Sequence, residues 1–362
     1  MADQFSAEID DRFSAGPPTQ AAIVRVRDLI VCAGDPSIDV PIDEVYAHPP
    51  IGWDRYPGID DERFGETVAT IDLGGAITIE ELDRDTVELV MNACTPRGHY
   101  FFPVRQFGQR YSFVNEVPLD ELEERHFAWD TDGTLSDALT LSRLIRDNGY
   151  STEFAARLID YEDGQRCVVY VLHRGDKAIW RLRRDREWLD AAEGRELAGL
   201  LAAYWECRAE LPARVQRAMW RMAYAPQVRW ADIVVPILVS GLEALLKVGR
   251  RDLTEQFKKR APALAADLEI DGLDEDLAER LYDGRSDWIH GSHVQLFAGP
   301  SAGAETPGEE PEGRQGSDKQ HALADIALLQ DVLRGAVRRT IEDAEFRQIF
   351  ATDESITGRW QV

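Results

Sequence analysis

The spacing of hydrophobic and polar positions changes about halfway along this chain. Before about residue 185 the apolar residues come in short, partly alternating runs, as in strands half-buried in a sheet. Beyond it they recur every three or four residues, as in helices with one buried face. A first strand is expected over Ala21–Val31, where Ile23, Val24, Val26, Leu29 and Val31 are interleaved with charges. Others are expected over Thr67–Leu73, Ala76–Ile79, Thr86–Met91, Tyr100–Val104 and Arg110–Val114, punctuated by turn residues such as Gly74-Gly75 and Gly98. Phe154–Tyr161 and Arg166–Leu172 flank Asp163-Gly164, and an Asp-Gly between alternating runs predicts a hairpin. A further strand is expected over Lys177–Leu182 and a long loop over Tyr46–Gly65. Helical spacing interrupts this half once, over Asp137–Asn148, through Leu139, Leu141, Leu144 and Ile145.

In the second half, Leu197, Leu200, Leu201, Tyr204 and Trp205 predict one helix beginning at about Asp190. Pro212 suits the first turn of a second, which carries Val215, Met219 and Met222. A third is expected from about Trp230 to Val248. Asp252-Leu-Thr-Glu255 has the form of a capping box opening a fourth, and Asp274 can cap a fifth that ends near His290. Residues 298–320, rich in Gly, Pro, Glu and Ser, are expected to be a flexible insertion, with a last helix from His321 to about Phe350. The fold class expected is α+β: a β-rich domain over 1–187, then an all-α helical bundle over 188–362. A length of 362 residues suits two domains at about 100–200 residues each.

Charge narrows the function classes. The formal net charge of −25 argues against a protein that coats nucleic acid with its whole surface. From Glu206 to Arg260, however, eleven Lys/Arg face six Asp/Glu, a local balance of +5 that leaves −30 elsewhere. Any RNA contact is expected there, with Arg250, Arg251, Lys258 and Lys259 as candidates. Arg181, Arg183, Arg184 and Arg186 add a second basic stretch. The four cysteines are far apart and predict reduced thiols rather than a zinc site or a disulfide framework. No signal peptide pattern opens the chain, and its longest apolar run, Ile233–Val239, falls far short of the ~20 residues that span a bilayer. A soluble cytoplasmic protein is expected. No P-loop, dinucleotide-binding fingerprint or H-E-x-x-H is present, so neither a cofactor nor a metal is expected.

The chemistry concentrates in two stretches. Ser240-Gly241-Leu242-Glu243-Ala244-Leu245-Leu246 places one acid in an apolar helix, and a buried carboxylate needs a cation. About forty residues later, Leu281-Tyr282-x-x-Arg285-Ser286-Asp287-x-x-His290-Gly291 sets an arginine five positions before a histidine. Arg285 or another cation of the bundle is the partner expected for Glu243. At ~100° per residue Arg285 and His290 lie about 140° apart on a straight helix, whereas Asp287 and His290 share a face.

Together, in this order and on helices, these stretches resemble the Apea-like branch of the HEPN superfamily, whose members carry an E-A-L helix followed by an R-x4-6-H motif. The resemblance covers roughly 211–350. It implies a helical bundle that forms a homodimer, bringing two R-x4-H motifs into one cleft. In many members it also implies metal-independent RNA cleavage within defence or toxin systems. Carried onto this chain, Arg285 would stabilise phosphate charge, His290 would act as acid and base, and Asp287 and Glu243 would position them. Some related toxin domains continue to a tyrosine, modified by a partner nucleotidyltransferase. Ser292 stands at that position here, so no such partner is expected. The rival expectation is a HEPN-type dimerisation or ligand-binding adaptor without catalysis.

Overall fold

The computed structural model describes residues 21–32, 70–83, 86, 89, 111–121, 134–146, 148, 150–172, 189–225, 228, 231–249, 251–290 and 315–361. For 31–32, 111–112, 121, 150–155, 169–172, 231–232, 287–290 and 315–323 it describes the backbone alone. The chain divides into two compact units: Met1–Asp137 with Gly149–Gly175, and Ala138–Asn148 with Asp176–Val362.

The first unit contains a six-stranded antiparallel sheet in the order β2-β3-β4-β1-β5-β6. Its strands are β1 (Ile23–Cys32), β2 (Ile71–Gly74), β3 (Ile77–Glu81), β4 (Tyr111–Val117), β5 (Tyr150–Tyr161) and β6 (Arg166–Leu172). β1, the first strand among the described residues, is thus central, bonded to β4 and β5. Val26 of β1 lies between Val117 and Ile159 in register, and the three form a buried cluster. One residue pair further along, the same face holds a charge. Asp28, fully buried, accepts from Arg157 Nε at 2.7 Å and Nη2 at 2.9 Å. The two-pronged contact compensates a carboxylate that could not otherwise leave water. The Asp-Gly hairpin forms as expected: Gly164, at φ +80°, supplies the left-handed residue between β5 and β6.

The run over Thr86–Met91 is not a strand where it is described, because Thr86 and Leu89 are helical. Asp83 accepts from the Thr86 N–H at 2.8 Å, which is how a helix start is capped. A short apolar run bears either reading, and the cap decides it. The expected strands over 100–104 and 177–182 and the loop over 46–65 lie outside the described residues.

The second unit is helical: α1 (Thr134–Ile145, most of which belongs here), α2 (Ala191–Cys207), α3 (Ala213–Tyr224), α4 (Ala231–Leu246), α5 (Leu253–Asp267), α6 (Glu275–His290), α7 (Gln315–Glu342), α8 (Ala344–Ile349) and α9 (Asp353–Arg359). The apolar α4 is its hub, packing against α3, α5, α6 and α7. Its Val234, Leu238, Val239, Leu242, Leu245 and Leu246 are buried. Gly241 permits the approach of α7, since a Cβ there would stand 3.0 Å from Leu333 Cδ1.

Two helix ends differ from expectation. Asp252 precedes α5 in the left-handed region (φ 51°) and makes no capping bond, so the expected box does not form; capping requires an extended residue at that position. A capping box does open α2, where Asp190 accepts from the Glu193 N–H and Glu193 accepts from the Asp190 N–H. The helix expected over His321–Phe350 is also two helices, α7 and α8. The first begins at Gln315, inside the expected insertion, and stops at Glu342, after which Asp343 accepts from the Glu345 and Phe346 N–H groups and starts α8.

Candidate functional site

The two motif stretches occupy neighbouring helices, α4 and α6. Ser240, Glu243 and Lys247 follow one another at i, i+3 and i+7, so they lie on one stripe of the otherwise apolar α4. That stripe meets Arg285. Arg285 Nη2 lies 2.8 Å from Glu243 Oε2, with only 21% of the arginine side chain and 12% of the glutamate exposed. Arg285 Nε donates to Ser240 Oγ at 3.3 Å, and the guanidinium carbon lies 5.5 Å from the centre of the Tyr282 ring, one turn earlier on α6. The partner expected for Glu243 is therefore present. Lys247 Nζ, at 4.0 Å, is a second and looser one.

Arg221 of α3 approaches the same stripe and donates through Nη1 to the Ser240 carbonyl. Burial pushes its guanidinium below the usual range; the negative charge of Glu243 opposes this, and the positive charges of Arg285 and Arg217 add to it. Burial likewise raises the Tyr282 phenol, helped by Glu243 and opposed by Arg285. The site is thus a small charged cluster of two arginines and one carboxylate in an apolar bundle, with the more exposed Lys247 at its edge. A guanidinium has five N–H donors, and the contacts of Arg285 to Ser240 and Glu243 use only part of that set.

His290 is the last residue of α6, and Asp287 lies one turn before it. Only their backbone is described, and Arg250, Gly291 and Ser292 lie outside the described residues. Among the other RNA-contact candidates, Arg251 and Lys259 are exposed. Lys258 reaches α6 instead, its Nζ 2.7 Å from Glu279 Oε2.

Much of the local positive charge turns inward. Arg260, 3% exposed, donates to the carbonyls of Leu246 and Trp360 and to Gln256 Oε1. Arg214 donates to the carbonyls of Leu245 and Lys247 and to Asp353. Both arginines thereby satisfy carbonyls at the end of α4, which no further helical turn could serve. Sequence reasoning did not identify Tyr282 as a neighbour of Arg285, or Arg221 as a second arginine at Ser240. A single arginine on an amphipathic helix carries no mark of what it faces; Tyr282, one turn before Arg285, does.

Among the described residues no group of three or more His, Cys, Asp or Glu is placed to hold a metal ion, and no helix is long and apolar enough to cross a membrane. No protein-family model, curated protein or solved structure matches the chain.

Proposed function

We propose that the helical unit is an Apea-like HEPN domain that acts as a homodimer and cleaves RNA without a metal. The supporting observation is the 2.8 Å contact between Arg285 of the R-x4-H helix and Glu243 of the E-A-L helix, which couples the two halves of the motif. In this reading His290 removes the proton of a 2′-hydroxyl and returns one to the leaving oxygen, since imidazole titrates near neutrality. Arg285 stabilises charge on the phosphorane, and Glu243 and Ser240 hold it in place. Asp287 orients His290, a second copy supplies a second pair, and the β-rich half senses the trigger or selects the substrate. The deciding experiment incubates the full chain with total RNA and with a tRNA pool in EDTA, beside Arg285→Ala and His290→Ala. Cleavage leaving 2′,3′-cyclic phosphate ends, lost in both variants, is expected. Intact RNA with folded, dimeric wild-type protein would sink the proposal. That result would favour the non-catalytic adaptor, which has its own support: Arg285 already has a carboxylate and a hydroxyl as internal partners.

A further inference from the structure

Helix α3 has an outward stripe that the proposed chemistry does not use. Val215, Ala218 and Met222 are buried, whereas Gln216, Arg217, Trp220 and Tyr224 are exposed on the opposite side. Trp220 is 63% exposed and Tyr224 41%, the only large hydrophobic side chains of the helical unit, among the described residues, left so open. Their rings stack one turn apart, with centroids 5.3 Å from each other and planes within 4°. Each ring has one face against its neighbour, so the outer faces can extend the stack.

Cations adjoin these rings. Arg217 is exposed and stands one turn before Arg221 on the same helix. Arg221 donates to the Ser240 carbonyl, and the hydroxyl of that residue accepts from Arg285. Arg221, beside the exposed stripe on α3, is thus joined to the motif arginine through Ser240, and it senses the charges of both Arg217 and Arg285. Flat rings beside guanidinium groups match a strand that offers unpaired bases and phosphates together. A second copy of the chain fits less well. A standard protein interface needs about 800 Å² per partner around an apolar centre, and here two rings are bordered by Gln216 and Arg217.

We infer that Trp220 and Tyr224 form a base-stacking platform for single-stranded RNA, with Arg217 and Arg221 taking the adjoining phosphates and leading the strand toward Arg285. The destination of the strand rests on the proposed function; the stacking itself does not.

The test measures fluorescence anisotropy of labelled oligouridylate and oligoadenylate with the full chain in EDTA. His290→Ala serves as the parent, so that cleavage cannot consume the probe. Trp220→Ala and Tyr224→Ala are each expected to weaken binding by about fivefold to a hundredfold, with Trp220→Phe retaining most of it. Duplex RNA is expected to compete poorly. Circular dichroism and sedimentation accompany each variant. No binding by the parent, or binding within twofold in folded alanine variants, overturns the platform. So does loss of binding that accompanies a fall in oligomeric state, which would assign the face to a second copy. Cleavage by wild type with ring-independent binding leaves the RNase reading standing alone; ring-dependent binding without cleavage leaves the platform standing alone.

Discussion

Arg285 and Glu243 face each other across α6 and α4 at 2.8 Å, both largely removed from water. Removing Glu243 leaves Arg285 without its carboxylate, and removing Arg285 leaves Glu243 only the looser Lys247. Arg285→Ala and Glu243→Ala are each expected to lower unfolding free energy by about 1–3 kcal/mol, because an uncompensated charge costs more than the pair contributes. The double variant should lose less than the sum. Urea unfolding of the four proteins gives the coupling directly, and strict additivity would contradict a direct pairing.

Arg260 is expected to be structural and to contribute nothing to RNA contact. Its guanidinium serves the Leu246 and Trp360 carbonyls and Gln256. Arg260→Ala should destabilise the helical unit by about 2–4 kcal/mol through orphaned buried acceptors. Arg260→Lys should recover only part, since an ammonium cannot reproduce the planar fork. A thermal melt unchanged in Arg260→Ala would refute this.

Asp353 links stability to acid. Its hydrogen bond from Arg214 Nη2, at 2.6 Å, holds its carboxyl below the ordinary 3.8; desolvation opposes that shift. A carboxyl lowered in the folded state stabilises above its unfolded value, and that contribution fades as the pH falls from 3.8 through the folded value. Asp353→Asn should therefore cost roughly 0.5–1 kcal/mol at neutral pH, a small figure because the carboxylate is half exposed. The difference from wild type should close below that window. A gap that widens on acidification would reverse the assignment.

Gly241 tests the packing of α4 on α7. Added side-chain volume meets Leu333, whose Cδ atoms lie 3.0 and 3.2 Å from where a Cβ would be. Gly241→Val should destabilise by about 1–3 kcal/mol through overpacking. Gly241→Ala is expected to come out milder, because its gain of about 1 kcal/mol in helix propensity offsets part of the strain. Equal stability of both variants and wild type in chemical denaturation would show that α7 simply moves away.

How much of this was legible in the sequence follows from how local each signal is. Asp163-Gly164 fixes its own turn, and Asp274 accepts from the Leu277 N–H as its position before α6 suggested. The apolar stretch of α4 was equally plain. Thr86–Met91 was misread because a short apolar run has no period of its own, and the cap that settles it, Asp83, sits outside the run. Asp252 and Asp190 have the same capping form in sequence, D-x-x-E, yet only Asp190 caps; the backbone angle that separates them is set by packing. The site was half legible. Glu243 needed a cation, and Arg285 was the named candidate. That Arg214 and Arg260 turn inward could not be read from a charge count, which does not register direction.

Helix α1 carries a consequence for how the chain is made. It lies between strands β4 and β5 in sequence but belongs mainly to the helical unit, so the chain passes between units at 137–138, 148–149 and 175–176. Near the end of α1 the Arg143 carbonyl accepts from Arg334 Nε at 2.9 Å, across 191 positions, and Arg146 pairs with Glu193. A ribosome therefore releases α1 long before the α7 residue that completes its last turn. Severing the gene at residue 188 would divide not two modules but a bundle from one of its own helices.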